Sequence, residues 1–287
     1  MPPFLKISLT VGAYLLLAWL MVVIAMFVFQ RKLLYLPDKN PLPPAEIFGI
    51  DTLEQIFLNT KDGLRLKAYY MPAQGQDNGT IVLFHGNAGS IAHRMTKAAI
   101  YHLFGTGVLL VEYRGYGGND GTPTEKGLYA DGRAAMEFLT KQKNLPPEKI
   151  ILYGESLGSG VAVQMATEYD AAGLVLETPF SSAAAVASSV YPFMPVRLLL
   201  KDRYDNIAKI KQIKKMPVLV VHGTRDGVVP FTEGKKLFEA AAEPKKFVAI
   251  EGGNHNNLYD YPLTATEIGT FLRQQGIFRL FEKKTAE

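Results

Sequence analysis

The chain has 287 residues, of which 48% are hydrophobic, 20% charged and 11% aromatic, with 31 basic side chains against 27 acidic ones. That mixture excludes a wholly disordered chain, and 26 glycines without a three-residue period exclude collagen. The absence of cysteine excludes disulfides, thiolate–zinc sites, iron–sulfur clusters and a cysteine nucleophile, and a net charge of +4 is too mild to indicate a nucleic-acid partner.

In chain order, the first element is Ile7 to Phe29, 23 residues with no charge. As a helix it spans about 35 Å, enough to cross a hydrocarbon core of about 30 Å. A cleaved signal peptide fits less well, because Val23-Ile24-Ala25 is a poor cleavage site with Met26-Phe27-Val28-Phe29 behind it. Residues 1–30 are therefore read as a single-pass anchor. Arg31, Lys32 and Lys39 follow it, whereas Lys6 and the α-amine precede it, so the excess of basic residues places the C-terminal body on the cytoplasmic side. Residues 31–50 carry Pro37, Pro41, Pro43 and Pro44 and are read as an extended linker.

Residues 51–287 form the expected catalytic domain. Eight β-rich runs follow one another: Thr52–Thr60, Leu64–Met71, Thr80–His85, Val108–Tyr113, Ile150–Gly154, Gly173–Thr178, Pro217–His222 and Phe247–Glu251. Lys61-Asp62-Gly63 turns the first two into a hairpin. From the third run onward, strands alternate with stretches of helical spacing: Ala92–Phe104, Glu125–Lys141, Ser156–Tyr169, Thr232–Ala242 and Tyr261–Gln275. Several runs are continuously apolar, such as Ile81-Val82-Leu83-Phe84, as in strands covered on both faces. The pattern predicts an α/β fold, a mostly parallel eight-stranded sheet with helices on both faces and right-handed crossovers. Ligands of such sheets sit at the carboxyl ends of the strands.

Those ends carry the chemistry. Gly154-Glu155-Ser156-Leu157-Gly158 is G-x-S-x-G at a strand–helix junction, where a serine projects from a turn too tight for neighbouring side chains. A serine hydroxyl needs a base to take its proton, and that base needs an orienting acid. Asp226 lies on the loop after the seventh run and His255 on the loop after the eighth, in the order Ser, Asp, His. Glu177, ending the sixth run, is the alternative acid. An oxyanion site also needs two N–H donors, here expected from Leu157 and from Asn87 in His85-Gly86-Asn87-Ala88-Gly89, with Ala88 the alternative to Asn87. His222 and His85 are read as structural histidines, and His93 and His102 as helix-surface residues. The cluster of Lys209, Lys211, Lys214 and Lys215 is read as a solvated face, or as a contact to anionic headgroups.

These motifs, with Tyr113-Arg114-Gly115-Tyr116-Gly117, Glu177-Thr178-Pro179-Phe180, His222-Gly223-Thr224-Arg225-Asp226 and Gly253-Asn254-His255-Asn256, resemble the α/β-hydrolase superfamily. Within it they are similar to the membrane-anchored BEM46-like branch, related to alpha/beta hydrolase domain-containing proteins 13 and 17. The resemblance covers nearly the whole chain and implies Ser156, Asp226 and His255 as the catalytic triad of a serine hydrolase, with no metal or organic cofactor. Between the sixth and seventh runs, residues of about 179–216 make a small lid. Its apolar, proline-broken Val190–Val196 is expected to wall an acyl pocket through Tyr191 and Phe193. The expected substrate is an acyl ester or thioester: a small molecule, a lipid or an acylated protein. A serine aminopeptidase and a non-catalytic membrane-tethered scaffold are the alternatives.

Overall fold

A computed structural model describes residues 2–75 and 78–278, so the C-terminal bound of the expected domain, residue 287, lies outside the described residues. The chain opens with α1 (Pro3–Leu34), apolar on every face, and then β1 (Leu36–Pro37). The strands that follow are β2 (Glu54–Asn59), β3 (Arg65–Met71), β4 (Thr80–Phe84), β5 (Ala88–Gly89), β6 (Gly107–Val111), β7 (Ile150–Glu155), β8 (Gly173–Glu177), β9 (Val218–Gly223) and β10 (Lys245–Ile250). Between and after them lie α2 (Met95–His102), α3 (Glu125–Glu137), α4 (Leu157–Ala166), α5 (Ala183–Val190), α6 (Val196–Leu199), α7 (Asn206–Ile210), α8 (Phe231–Ala240) and α9 (Pro262–Gln274).

Eight strands form one sheet in the order β10-β9-β8-β7-β4-β6-β3-β2, antiparallel only where β3 meets β2 and β6. Alternation along each strand splits the core in two. Val82, Phe84, Leu152, Leu174, Leu176 and Val220 pack beneath α3 and α4, whereas Ile81, Leu83, Ile151, Val175, Leu219 and Val221 pack with α2 and α9. Both faces are covered, which is why the central strands read as unbroken apolar runs. The Tyr113–Gly117 motif is structural: Arg114 donates from Nε to Asp131 and from Nη1 to Asp62, tying the loop after β6 to α3 and to the β2–β3 turn.

Three features differ from the expectations. First, α1 runs on through Arg31 and Lys32 to Leu34 instead of stopping at the charges. Second, the proline-rich stretch is extended but not free. Leu36 N–H donates to the Asn87 carbonyl, Asp38 N–H to Gly89 and Leu42 N–H to Gly117, while Tyr35 and Leu42 are buried. Proline supplies the extended φ, and the remaining N–H groups find partners on the body. Third, His102 is buried at the end of α2, where its Nδ1 meets the Thr106 carbonyl and its Nε2 lies 2.8 Å from Thr52 Oγ1. His93 is exposed, as expected.

Candidate active site

The turn from β7 into α4 holds Ser156 at φ 50°, ψ −115°, a conformation that a non-glycine residue adopts only under constraint. The constraint is close packing. A Cβ at Gly158 would lie 2.0 Å from the Phe84 carbonyl oxygen, and one at Gly154 would lie 2.5 Å from Ser159 Cα. Glycine at both places lets α4 seat directly on the sheet, and Ser156 N–H donates to the Glu177 carbonyl. The side chain of Ser156 is thereby fixed above the strand ends.

Ser156 Oγ lies 3.0 Å from His255 Nε2, and His255 Nδ1 lies 2.7 Å from Asp226 Oδ2. A carboxylate only accepts, so Nδ1 carries the proton and Nε2 is left to accept the Ser156 hydroxyl. The Asp226 carboxylate is fully buried. Its Oδ1 accepts the N–H groups of Val228 and Val229, each at 2.8 Å, and its Oδ2 also lies 3.2 Å from His222 Nε2. Burial alone would raise this carboxyl, but its contacts with His222 and His255 hold it well below the usual carboxylate range. His222 is thus a buried partner of the acid, also bonded to the Val229 carbonyl, a role that the sequence reading as a structural histidine did not specify.

The loop after β4 is held from below. His85, fully buried and stacked on Tyr113, lies 2.9 Å from Glu112, whose other oxygen accepts Ile91 N–H. The Asn87 carbonyl accepts from Tyr116 Oη and Leu36 N–H, and its side-chain amide donates to the Leu34 carbonyl. Among the described residues, neither Asn87 N–H nor Leu157 N–H is taken by a hydrogen bond, and both residues line a cavity with Ser156.

That cavity, of about 290 Å³, is walled by Phe180, Val186, Val190, Tyr191 and Met194 on one side. Tyr191 lines the cavity. Phe193 does not: it is 57% exposed, and its carbonyl accepts from Trp19 Nε1. Phe193, two residues on, packs edge-on against the Tyr191 ring with centroids 6.4 Å apart, so only Tyr191 of the two aromatics lines the cavity. The opposite wall is Met26, Phe27, Leu33 and Leu34 of α1, which the sequence assigned to a membrane span alone.

Glu177, the alternative acid, belongs to a different neighbourhood. It pairs with Lys97 at 2.6 Å and accepts from Tyr153 Oη, beside a second cavity of about 320 Å³ that borders His255. There Arg94 and Lys97 are matched by Glu155 and Glu177. Burial would raise the Glu155 carboxyl, yet Lys97 and Arg94 pull it far down. Lys209 of the basic cluster is also engaged, with its ammonium donating to Tyr129 Oη beside Glu125.

A family model described as serine aminopeptidase, S33 matches residues 75–201, a span that contains Ser156 but not Asp226 or His255. The human alpha/beta hydrolase domain-containing protein 17B is 31% identical over 233 residues, covering 78% of this chain and 77% of its own. The chain belongs to the α/β-hydrolase superfamily. An uncharacterised Mycobacterium tuberculosis protein is more similar still, at 41% identity over 259 residues, covering 88% of this chain and 92% of its own. Among solved structures, a Pyrococcus furiosus esterase superposes with a TM-score of 0.64 at 18% identity, covering 83% of this chain and 98% of its own. At that identity the esterase shares the hydrolase fold, and the fold alone carries no substrate. The comparisons make this chain a hydrolase of α/β type with one long apolar helix in front of it.

Proposed function

We propose that the protein is a single-pass membrane serine hydrolase that cleaves acyl esters or thioesters by way of an acyl-enzyme. The observation that carries the reading is the run of contacts from Ser156 Oγ through His255 to the buried Asp226, opening beneath an apolar cavity. His255 Nε2 takes the Ser156 proton as Oγ attacks the carbonyl carbon. The developing oxyanion is met by Asn87 and Leu157 N–H, and the imidazolium is stabilised by Asp226. The carbonyl re-forms, the leaving alcohol or thiol takes the proton from His255, and the acyl group stays on Ser156. Water then repeats the sequence, deprotonated by His255, and the acid is released. The basic residues Arg31, Lys32 and Lys39 support a body on the cytoplasmic side.

An aminopeptidase must hold a substrate ammonium, and the cavity lining contains no carboxylate that would do so. The description of the family model is the support for that alternative, and the cavity's composition favours acyl chains over it.

The test is labelling of the purified protein with a fluorophosphonate, beside turnover of short acyl esters. Wild type is expected to label. Ser156→Ala and His255→Ala are expected to lose labelling, with kcat falling on the order of 10⁴-fold or more. A folded wild type that neither labels nor turns over ester would sink the enzyme reading and favour the scaffold. Faster turnover of peptide amides than of esters would favour the aminopeptidase.

A further inference from the structure

We infer that the acyl chain of the substrate reaches Ser156 sideways from the bilayer, through a slot between α1 and the lid, and that α1 is the wall that gauges its length. The inference rests on the hydrolase reading above and deepens it by naming where the substrate resides.

The first observation is one of length. α1 has 32 residues, about 48 Å of helix, whereas a hydrocarbon core of about 30 Å takes up about 20 of them. About 12 residues remain for the headgroup layers and the water beyond, and the body grips the helix at its C-terminal end. Gln30 donates to the Leu199 carbonyl and accepts Lys201 N–H, Arg31 forks onto Asp202, and the Leu34 carbonyl accepts from Asn87. The end of the helix is therefore a fixed part of the hydrolase, not a tether.

The second is the lining. Met26, Phe27, Gln30, Leu33 and Leu34 are spaced i, i+1, i+4, i+7 and i+8, a single stripe of the helix, and that stripe is one wall of the cavity. The cavity floor is buried at Ser156, Leu157 and Phe180, whereas Phe27 and Val190 are 38% and 54% exposed. A chain with its carbonyl at Ser156 would thus run back along α1, away from Leu34 and towards the apolar part of the helix.

The third is depth. Trp19 Nε1 donates to the Phe193 carbonyl at 3.1 Å, which pins the lid to the helix 12 residues before Arg31, or about 18 Å along the axis. A headgroup layer is only about 5–8 Å thick in each leaflet. With Arg31 at the water boundary, Phe193 lies about 10 Å inside the hydrocarbon, at the depth reached by interfacial segments. The chemistry of the contact suits that depth, since Trp19 N–H and the Phe193 carbonyl satisfy one another, as polar groups in lipid must. Val190, Phe193 and Leu198, each more than half exposed, are then covered by acyl chains, as is the rest of α1.

Two measurements test this on the full chain in phosphatidylcholine nanodiscs. Trp19 is the sole tryptophan, so Trp19→Phe combined with Phe193→Trp places a single fluorophore on the lid. Lipids brominated on the acyl chain should quench it, and aqueous iodide should not. Quenching by iodide alone, or by neither agent because a second copy covers the lid, would overturn the inference. Second, Met26→Trp narrows the slot. It should lower the ratio of kcat/KM for a C12 ester to that for a C4 ester about tenfold, whereas Met21→Trp, 65% exposed on the opposite face of the helix, should leave the ratio within twofold. An unchanged ratio in Met26→Trp would overturn the inference. Should the wild type hydrolyse neither ester, the hydrolase reading fails by itself, and the slot is read by binding of a fluorescent C18 fatty acid to the Ser156→Ala protein. A tenfold weaker Kd with Met26→Trp added supports the slot, and an unchanged Kd refutes it.

Discussion

Two helices of this chain, α1 and α4, are apolar on every side, and they stand at opposite extremes of burial. In α4 every residue but Gln164 is buried, wedged between β7 and α3. In α1 the buried residue is Val23. A helix with no polar face needs an apolar medium all round it. α4 obtains one from protein, with Gly158 against the Phe84 carbonyl and Gly160 against the Tyr204 ring as the points of closest approach. α1 has protein against one stripe of its last turns and at Trp19, and under the membrane reading proposed above lipid covers the remainder. The two meet at the cavity, where Ser156 at the head of α4 faces Leu34 at the foot of α1. Apolar composition thus says that a helix will be covered, and length with glycine spacing says by what.

The sharpest way to break the comparison is at α4. In Gly158→Ala the new methyl would sit 2.0 Å from the Phe84 oxygen and 2.7 Å from that of His85, so the helix must lift off the sheet. The expected cost is about 3 kcal/mol, at the upper end for overpacking, or a thermal midpoint lower by about 6–12 °C. A variant as stable as wild type would mean that α4 is not seated as described. The matching change in α1 is Leu17→Arg, at an exposed position near the middle of the helix. It should cost about 3 kcal/mol in membrane insertion and nothing in the stability of the body. The fraction of protein resistant to alkaline extraction is expected to fall while the thermal midpoint stays put. An undiminished membrane fraction would remove lipid from the comparison.

The division between what the sequence tells and what it hides follows the range of the contacts. The eight long strands and their helices are legible because burial on both sheet faces writes continuous apolar runs, and helical crossovers write their own period. Ser156, Asp226 and His255 are legible as candidates because each lies within four residues of the end of a run, at a place where parallel sheets present their ligand site. The second partner of Asp226, His222, lies four residues from it, yet nothing local shows that the ring turns back onto the carboxylate. The packed strap from Leu36 to Leu42, the Tyr35–Tyr204 hydroxyl pair at 2.9 Å and the wall that α1 lends to the cavity depend on residues up to about 170 positions apart. Such contacts leave no period in either segment. Phe193 shows the same limit at short range, since composition marks the lid as apolar without saying which aromatic turns in.

The finest test of the comparison concerns the join between its halves. Arg31 donates from Nε and Nη2 to the two oxygens of Asp202, at 2.8 and 3.3 Å. The Arg31 side chain is 43% exposed and the Asp202 side chain 5%, so solvent screens one partner and the protein hides the other. An exposed pair alone contributes about 0.2–1 kcal/mol. Removing Arg31 also leaves a buried carboxylate whose remaining donor is Glu125 N–H, which adds a penalty that an exposed pair lacks. Arg31→Ala is therefore expected to cost about 1 kcal/mol, or a thermal midpoint lower by about 2–4 °C in the full chain, and less in high salt. Arg31→Lys should recover only part of it, because an ammonium cannot fork onto both oxygens. The membrane fraction should not change, which makes this variant the mirror of Leu17→Arg: one moves the body's stability and spares the anchoring, the other does the reverse. If both quantities moved together in either variant, α1 would act as one unit, and its division into a lipid-covered span and a protein-gripped foot would be wrong.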